Sequence, residues 1–180
     1  MSIVWTDDLA GIDWDELSEL YRIAPLGNKA PGDLALVFRN SMYRAFAREH
    51  GRIVGAGRVL ADGRDCAYLC DVAVHPDRQG QGLGRDVIER LLVRCRGHRK
   101  IILYAVPGKE GFYERLGFRR MTTAMAIFDD QAGAYRRGYL TAPRGTSRPR
   151  DLPAHTTTPE RCLPAALFQQ AGPPHRLTSA

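Results

Sequence analysis

The chain predicts an α/β (α+β) fold, a mixed central sheet of about six strands with helices on both faces. Three observations carry that expectation. Two β-rich runs, 43–49 and 52–62, are separated only by His50-Gly51, the spacing of an antiparallel hairpin. A long apolar strand over 66–75 is followed by a glycine turn, a helix and a second apolar strand over 100–106, so a crossover joins the two strands. Between 13 and 24, Trp14, Leu17, Leu20 and Tyr21 recur at the helical period.

Taken in order, "IVWTDD" (3–8) reads as a first strand, and Asp13 caps the helix that follows. A second helix over 31–41 begins with proline, whose missing N–H costs nothing in a first turn. The hairpin and the strand over 66–75 come next, then a helix over 84–95 and the strand over 100–106. "GKEGFYERLGF" forms a short helix that Gly117 stops with a left-handed cap, and "RMTTAMAIF" (120–128) is the last strand. Its exposed edge over 121–128 would invite pairing with a second copy, so a homodimer is one expected state.

The chain has 180 residues and suits one domain, read as 1–140, with an extension over 141–180. That extension holds seven of the eleven prolines and half of the +6 net charge, with no sustained period, which is the composition of a disordered tail. The basic charge left in the folded part suits a phosphate-bearing small molecule, and no interleaved aromatics or helix-turn-helix pattern point to nucleic acid. No apolar run reaches membrane-span length, and "MSIVWTDDLAG" is acidic rather than signal-like, so the expectation is a cytoplasmic protein without membrane contact. Cys66, Cys70, Cys95 and Cys162 form neither a disulfide framework nor zinc-type pairs, so no metal is expected; Cys66 and Cys70 share a strand face and read as buried.

The segment "VAVHPDRQGQGLGRD" (72–86) places Gly80, Gly82 and Gly84 between strand and helix. Such a junction holds phosphate: backbone N–H groups point outward, the helix dipole favours an anion, and residues without Cβ let it come close. The dinucleotide pattern G-x-G-x-x-G fails, because Arg85 stands where the third glycine belongs, and the P-loop pattern is absent. The spacing Gln79-x-x-Gly82-x-Gly84 resembles the pyrophosphate loop of the GCN5-related N-acetyltransferases. The resemblance spans about residues 3–128 and rests on "DVAVHPDRQGQGLG" together with "FYERLGF". "CDVAV", "QGQGLG", "KIIL" and "FYERLGF" are similar to segments of the glucosamine-6-phosphate branch, although Cys70 stands where that branch has a glutamate.

The resemblance implies a sheet splayed at its fourth strand and acetyl-CoA as acyl donor. The backbone of Val72, Ala73 and Val74 would hold the pantetheine arm. The loop Arg78, Gln79, Gly80, Gln81, Gly82, Leu83, Gly84 and Arg85 would hold the pyrophosphate, although Arg78 and Arg85 read equally as solvated surface residues. Tyr113 falls where the family has its general acid; a phenol stays protonated at neutral pH and can donate to a leaving thiolate. The alternative is that Tyr113 packs in the core beside Phe112, though on a short helix both cannot face the same way. Asp71 is a lone carboxylate in an apolar strand and must be paired or face a cavity. The resemblance to the sugar-phosphate branch implies an anchor for the substrate ammonium or a base acting through water; the alternative is a structural salt bridge to one of the arginines. Glu110 is a second candidate base or a charge at a helix start. Val106 and Lys109 replace the family's usual asparagine and alanine. The segment "GNK" in "PLGNKAPGD" (25–33) would bind a phosphate, a carboxylate or nothing.

The function expected from these residues is transfer of acetyl from acetyl-CoA to a small primary amine by direct attack in a ternary complex. The alternatives are a protein or peptide acceptor, or a non-catalytic acyl-CoA-binding module.

Overall fold

The computed structural model describes residues 2–141. The chain divides into two compact units, Met1–Thr122 and Thr123–Ala180. The first contains one five-stranded sheet with β1 (Val4–Thr6), β2 (Tyr43–Glu49), β3 (Arg52–Ala61), β4 (Cys66–Val74) and β5 (Lys100–Ile102) side by side in chain order. The first four pair antiparallel and β5 joins β4 in parallel. His50 and Gly51 both take positive φ (50° and 80°), the two-residue turn whose twist matches the strands it joins.

Helix α1 (Trp14–Ile23) starts where Asp13 accepts the N–H groups of Asp15 and Glu16, and α2 (Pro31–Arg39) starts on its proline. Together they cover one face of the sheet. Leu17, Leu20, Tyr21, Leu34 and Phe38 pack there with Phe46, Ile53, Ala56 and Ala73. Helix α3 (Leu83–Arg94) covers the other face, where Val87, Ile88 and Leu91 meet Ala45, Val59, Ala67 and Leu69. Its close approach requires Gly57, because a Cβ there would lie 2.9 Å from Val87 Cγ1 and 3.0 Å from Leu91 Cδ1. The short α4 (Glu110–Glu114) adds Phe112 and Tyr113 to this second cluster and ends at Gly117, with φ of 94°.

In the second unit, α5 (Gln131–Arg136) is capped by Asp130, which accepts the Gly133 N–H at 2.7 Å and pairs with Arg137. The sequence reading assigned no element here.

Three expectations are corrected. The segment 120–128 forms no strand, so the described residues hold five strands where about six were expected, and Met125 and Ile127 are 97% and 76% exposed. A strand exists by its ladder, and residues 124–128 are apolar without alternation, so no single face is specified for burial. The strand edge expected to pair with a second copy is therefore not formed. The strand over 100–106 shortens to β5, whose ladder ends at Ile102. Cys66 and Cys70 are half-buried, and only Cys95 of the described cysteines is fully buried. The proline-rich extension expected over 141–180 lies, from residue 142 onward, outside the described residues.

Candidate active site

The two halves of the site meet on β4. Its pairing with β3 shifts by one residue: Ala56 faces Ala73, but Arg58 faces Cys70, so β4 carries one extra residue. This is a β-bulge, which kinks a strand and re-aims a side chain. Leu69 and Val72 consequently both pack on the α3 side, three positions apart, and Ala73 packs on the α1 side. Asp71 sits in the bulge with φ of 52°, a left-handed conformation that Asp and Asn tolerate better than other side chains. Its carboxylate is aimed toward the α1–α2 side, where one oxygen accepts Lys29 Nζ at 2.6 Å and the other accepts Arg58 Nε at 2.5 Å. Tyr21 donates its hydroxyl to the Asp71 carbonyl at 2.6 Å. Arg58 also reaches the Ser41 hydroxyl at 3.2 Å.

Burial alone would raise the Asp71 carboxyl, but the hydrogen bonds and charges of Lys29 and Arg58 outweigh it and hold the group below the ordinary carboxylate range. Burial pushes the neighbouring Cys70 thiol up to about 11, so it is an inert thiol at neutral pH. The same cause, helped by the charge of Asp71, raises the Tyr21 phenol well above its usual value.

Beyond the bulge, the parallel ladder to β5 consists of Cys66, Ala67 and Tyr68 against Lys100, Ile101 and Ile102. From Leu69 to Val74, β4 has no ladder partner on that side among the described residues. The two strands thus part company where the chain reaches Val72, Ala73 and Val74.

The loop after β4 turns through a 3-10 segment, Pro76–Arg78, and enters α3. Gly80 and Gly82 take φ of 74° and 90°, conformations open to glycine, and a Cβ on either would meet nothing within 4 Å. Gly84 differs: a Cβ there would lie 3.5 Å from Val74 and 3.7 Å from Phe112, ordinary contact distances, so the fold does not demand glycine at this position. No side chain caps α3, so the N–H groups of Leu83, Gly84 and Arg85 end the helix without a side-chain partner among the described residues. Such an end favours an anion. Open space above two glycines and an uncapped helix fit a pyrophosphate.

The polar side chains of the loop are engaged locally. Gln79 donates to the Val74 carbonyl at 3.1 Å and Gln81 to the Asp77 carbonyl at 2.8 Å. Arg78 pairs with the buried Glu49 at 2.6 Å, and Arg85 pairs with Glu89 one turn along α3 at 2.6 Å. A cavity of about 360 Å³ flanks the loop, lined by Ile3, Glu49, Arg78, Gln81, Leu83 and Asp86.

Tyr113 and Phe112 contact edge to face at 5.1 Å, and both reach the α3-side core; the two rings do not face apart as a short helix suggested. Burial raises the Tyr113 phenol above its ordinary value, and its hydroxyl makes no hydrogen bond among the described residues. It is a protonated donor without an acceptor among the described residues. Glu110 lies in the first turn of α4, half-buried. Sequence reasoning allowed for an arginine beside Asp71 without identifying Arg58, and it missed Tyr21, because β-strand alternation cannot forecast a bulge. It singled out "GNK", but the carboxylate Lys29 binds is the protein's own.

These features coincide with a known family. The chain belongs to the GNAT acetyltransferases: the family model matches residues 7–118. Members use acetyl-CoA as acyl donor. Serotonin N-acetyltransferase 2, chloroplastic, of Oryza sativa subsp. japonica is 49% identical over 70 residues, 38% of this chain and 35% of that protein. Glucosamine 6-phosphate N-acetyltransferase of Trypanosoma brucei brucei is 38% identical over 85 residues, 43% of this chain and 58% of that protein. The solved structure of an acetyltransferase, GNAT family protein, from Streptococcus pneumoniae TIGR4 superposes with a TM-score of 0.61 at 20% identity, over 72% of this chain and 98% of that one, and shares the fold. The chain spans between 35% and 63% of the length of the first curated relatives it matches. Among the described residues no helix is long and apolar enough to cross a membrane, and no group of His, Cys, Asp and Glu could hold a metal ion.

Proposed function

We propose that this chain is an N-acetyltransferase that moves an acetyl group from acetyl-CoA to a primary amine of a small molecule, by direct attack in a ternary complex. The observation that carries the reading is the parting of β4 from β5. It leaves the main-chain groups of Val72, Ala73 and Val74 without a ladder partner on one edge, leading straight to the uncapped start of α3. Unpaired strand edges bind extended ligands by main-chain hydrogen bonds. The pantetheine arm is such a ligand, and the turn from Gln79 to Arg85 receives its pyrophosphate. Arg78 and Gln79 brace that turn through Glu49 and Val74.

Acetyl-CoA, when bound, supplies the reactive thioester. Attack requires a neutral amine; the new C–N bond forms as the C–S bond breaks, and the departing thiolate takes a proton. Tyr113 supplies it: its raised pKa keeps the phenol protonated throughout the neutral range, and its hydroxyl has no competing partner among the described residues. Asp71 is held ionised by two cations, which makes it a weak base and a good anchor for an ammonium. The proton lost by the amine therefore leaves through water. Serotonin and glucosamine 6-phosphate, in the names of two relatives, are small primary amines, and the half-buried Asp71 carboxylate suits such an acceptor better than a peptide lysine. The residues invoked all fall within 1–140.

The test is thiol release from acetyl-CoA across serotonin, glucosamine 6-phosphate, polyamines and a lysine peptide, with Tyr113→Phe alongside. The expected result is release stimulated by one small amine, with kcat reduced by about 100-fold or more in the variant and acetyl-CoA affinity retained. Acetyl-CoA binding without release for any amine would overturn the enzymatic reading in favour of a binding module.

A further inference from the structure

Asp71 is flanked by two cations of different character. Arg58 stands on the central strand β3 with its side chain 12% exposed, and Ser41 holds its other end. Lys29 stands in the connection between α1 and α2, two residues after Gly27 with its φ of 93°, and its side chain is 30% exposed. Its ammonium lies 2.6 Å from the carboxylate and 5.2 Å from the centre of the Tyr21 ring. A carboxylate on one side and an aromatic face on the other form a recognition site for a primary ammonium.

We propose that Lys29 is a resident plug in the acceptor's ammonium site, seated between Asp71 and Tyr21 until an incoming primary alkylammonium displaces it. The inference rests on the acetyltransferase reading only in calling the displacing amine the acceptor. The exchange conserves charge: one ammonium leaves Asp71 as another arrives, and Arg58 keeps the second oxygen throughout. The carboxylate is thus never left unpaired, which is the state a buried charge cannot sustain. Lys29 is the movable partner because its tether is a glycine-containing connection, whereas Arg58 is fixed by the β-ladder. The site then selects primary amines over alcohols of the same shape, since a hydroxyl cannot replace the ammonium that departs. Lys29 acts as a positioning residue of the acceptor site, and its removal acts on acceptor binding before any chemistry.

Lys29, Lys100 and Lys109 are the lysines of the chain, so protein labelled with 13C at lysine Cε gives three resolvable signals. Full-length protein saturated with CoA is titrated with n-propylamine and, as control, n-propanol. The expected result is a saturable shift of the Lys29 signal with propylamine alone, while Lys100, paired with Asp65, stays in place. In a second arm, Lys29→Met and Lys29→Gln are titrated with propylamine and followed by the amide signal of Val72. Binding at least threefold tighter than in the wild type is expected, with the gain lost in Lys29→Met/Asp71→Asn. An unmoved Lys29 signal, or binding in both single variants that gains less than threefold, overturns the proposal. Displacement of Lys29 without acetyl transfer to any amine would sink the enzymatic reading and leave the ammonium site standing; transfer without displacement would do the reverse.

Discussion

Replacing Asp71 by Asn isolates the charge at the centre of the site. Asn accepts the left-handed φ of 52° as readily as Asp and nearly matches its volume, so backbone strain and packing are unchanged. What is lost is the anion between Lys29 and Arg58. Lys29, 30% exposed, can turn toward water, but Arg58, 12% exposed, cannot. Stranding one partner of a buried pair costs about 3–5 kcal/mol; with Lys29 free to rehydrate and the Asn carbonyl still accepting from Arg58, the lower end, about 3 kcal/mol, applies. With a urea m-value of about 1.5 kcal/mol/M, the unfolding midpoint should fall by about 2 M at neutral pH and unchanged m. The pH dependence follows from the direction of the shift. Asp71 titrates lower folded than unfolded, so its contribution is fully present above the unfolded value of about 4 and is lost as pH falls through the folded one. The gap between wild type and variant should therefore close from roughly pH 4 downward. A midpoint change under about 0.5 M at pH 7, or a gap that does not narrow as pH falls below about 4, would refute the claim that Asp71 holds a charge balance.

Other perturbations separate roles that the sequence leaves merged. Gly57→Ala drives a methyl against Val87 and Leu91 and should cost about 1–3 kcal/mol by thermal unfolding, with CoA affinity unaffected once the protein is folded. Gly82→Ala meets no side chain but forces φ of 90° on a Cβ, so it should cost about 1–2 kcal/mol and weaken CoA binding measured by calorimetry. Arg78→Met leaves Glu49 buried and unpaired and removes a brace of the turn; a large loss of urea stability with a smaller loss of CoA affinity is expected, and a large loss of affinity at unchanged stability would make Arg78 a direct phosphate ligand. The alkaline limb of kcat should lie above pH 10, because burial raises the Tyr113 phenol, and it should vanish in Tyr113→Phe.

Much of the fold was legible because local chemistry and burial agree there. Asp13 caps α1, Pro31 opens α2, and the hairpin turn needs the positive φ that His50-Gly51 supplies. The glycine loop was legible for the same reason, since Gly80 and Gly82 are demanded by backbone geometry. Asp71 was legible as an anomaly, a charge in an apolar strand, but its partners were not. They come from a loop 42 residues and a strand 13 residues away, brought together by a bulge that no alternation pattern announces. The strand expected at 120–128 failed for the converse reason: apolar composition suggested burial, but the ladder that makes a strand is supplied by neighbours.

The donor surface proposed above, built from main chain, would have an evolutionary consequence. The edge of β4 and the start of α3 present the same N–H and C=O groups whatever side chains they carry, so point substitutions erode that half slowly. Its vulnerable events are insertions and deletions: removing Val72 would erase the bulge and turn Asp71 toward the opposite face. The half proposed to meet the amine depends on single side chains, such as Lys29 on a connecting loop, that can be exchanged one at a time. A lineage built this way can keep its donor for long periods and change its acceptor in few mutational steps.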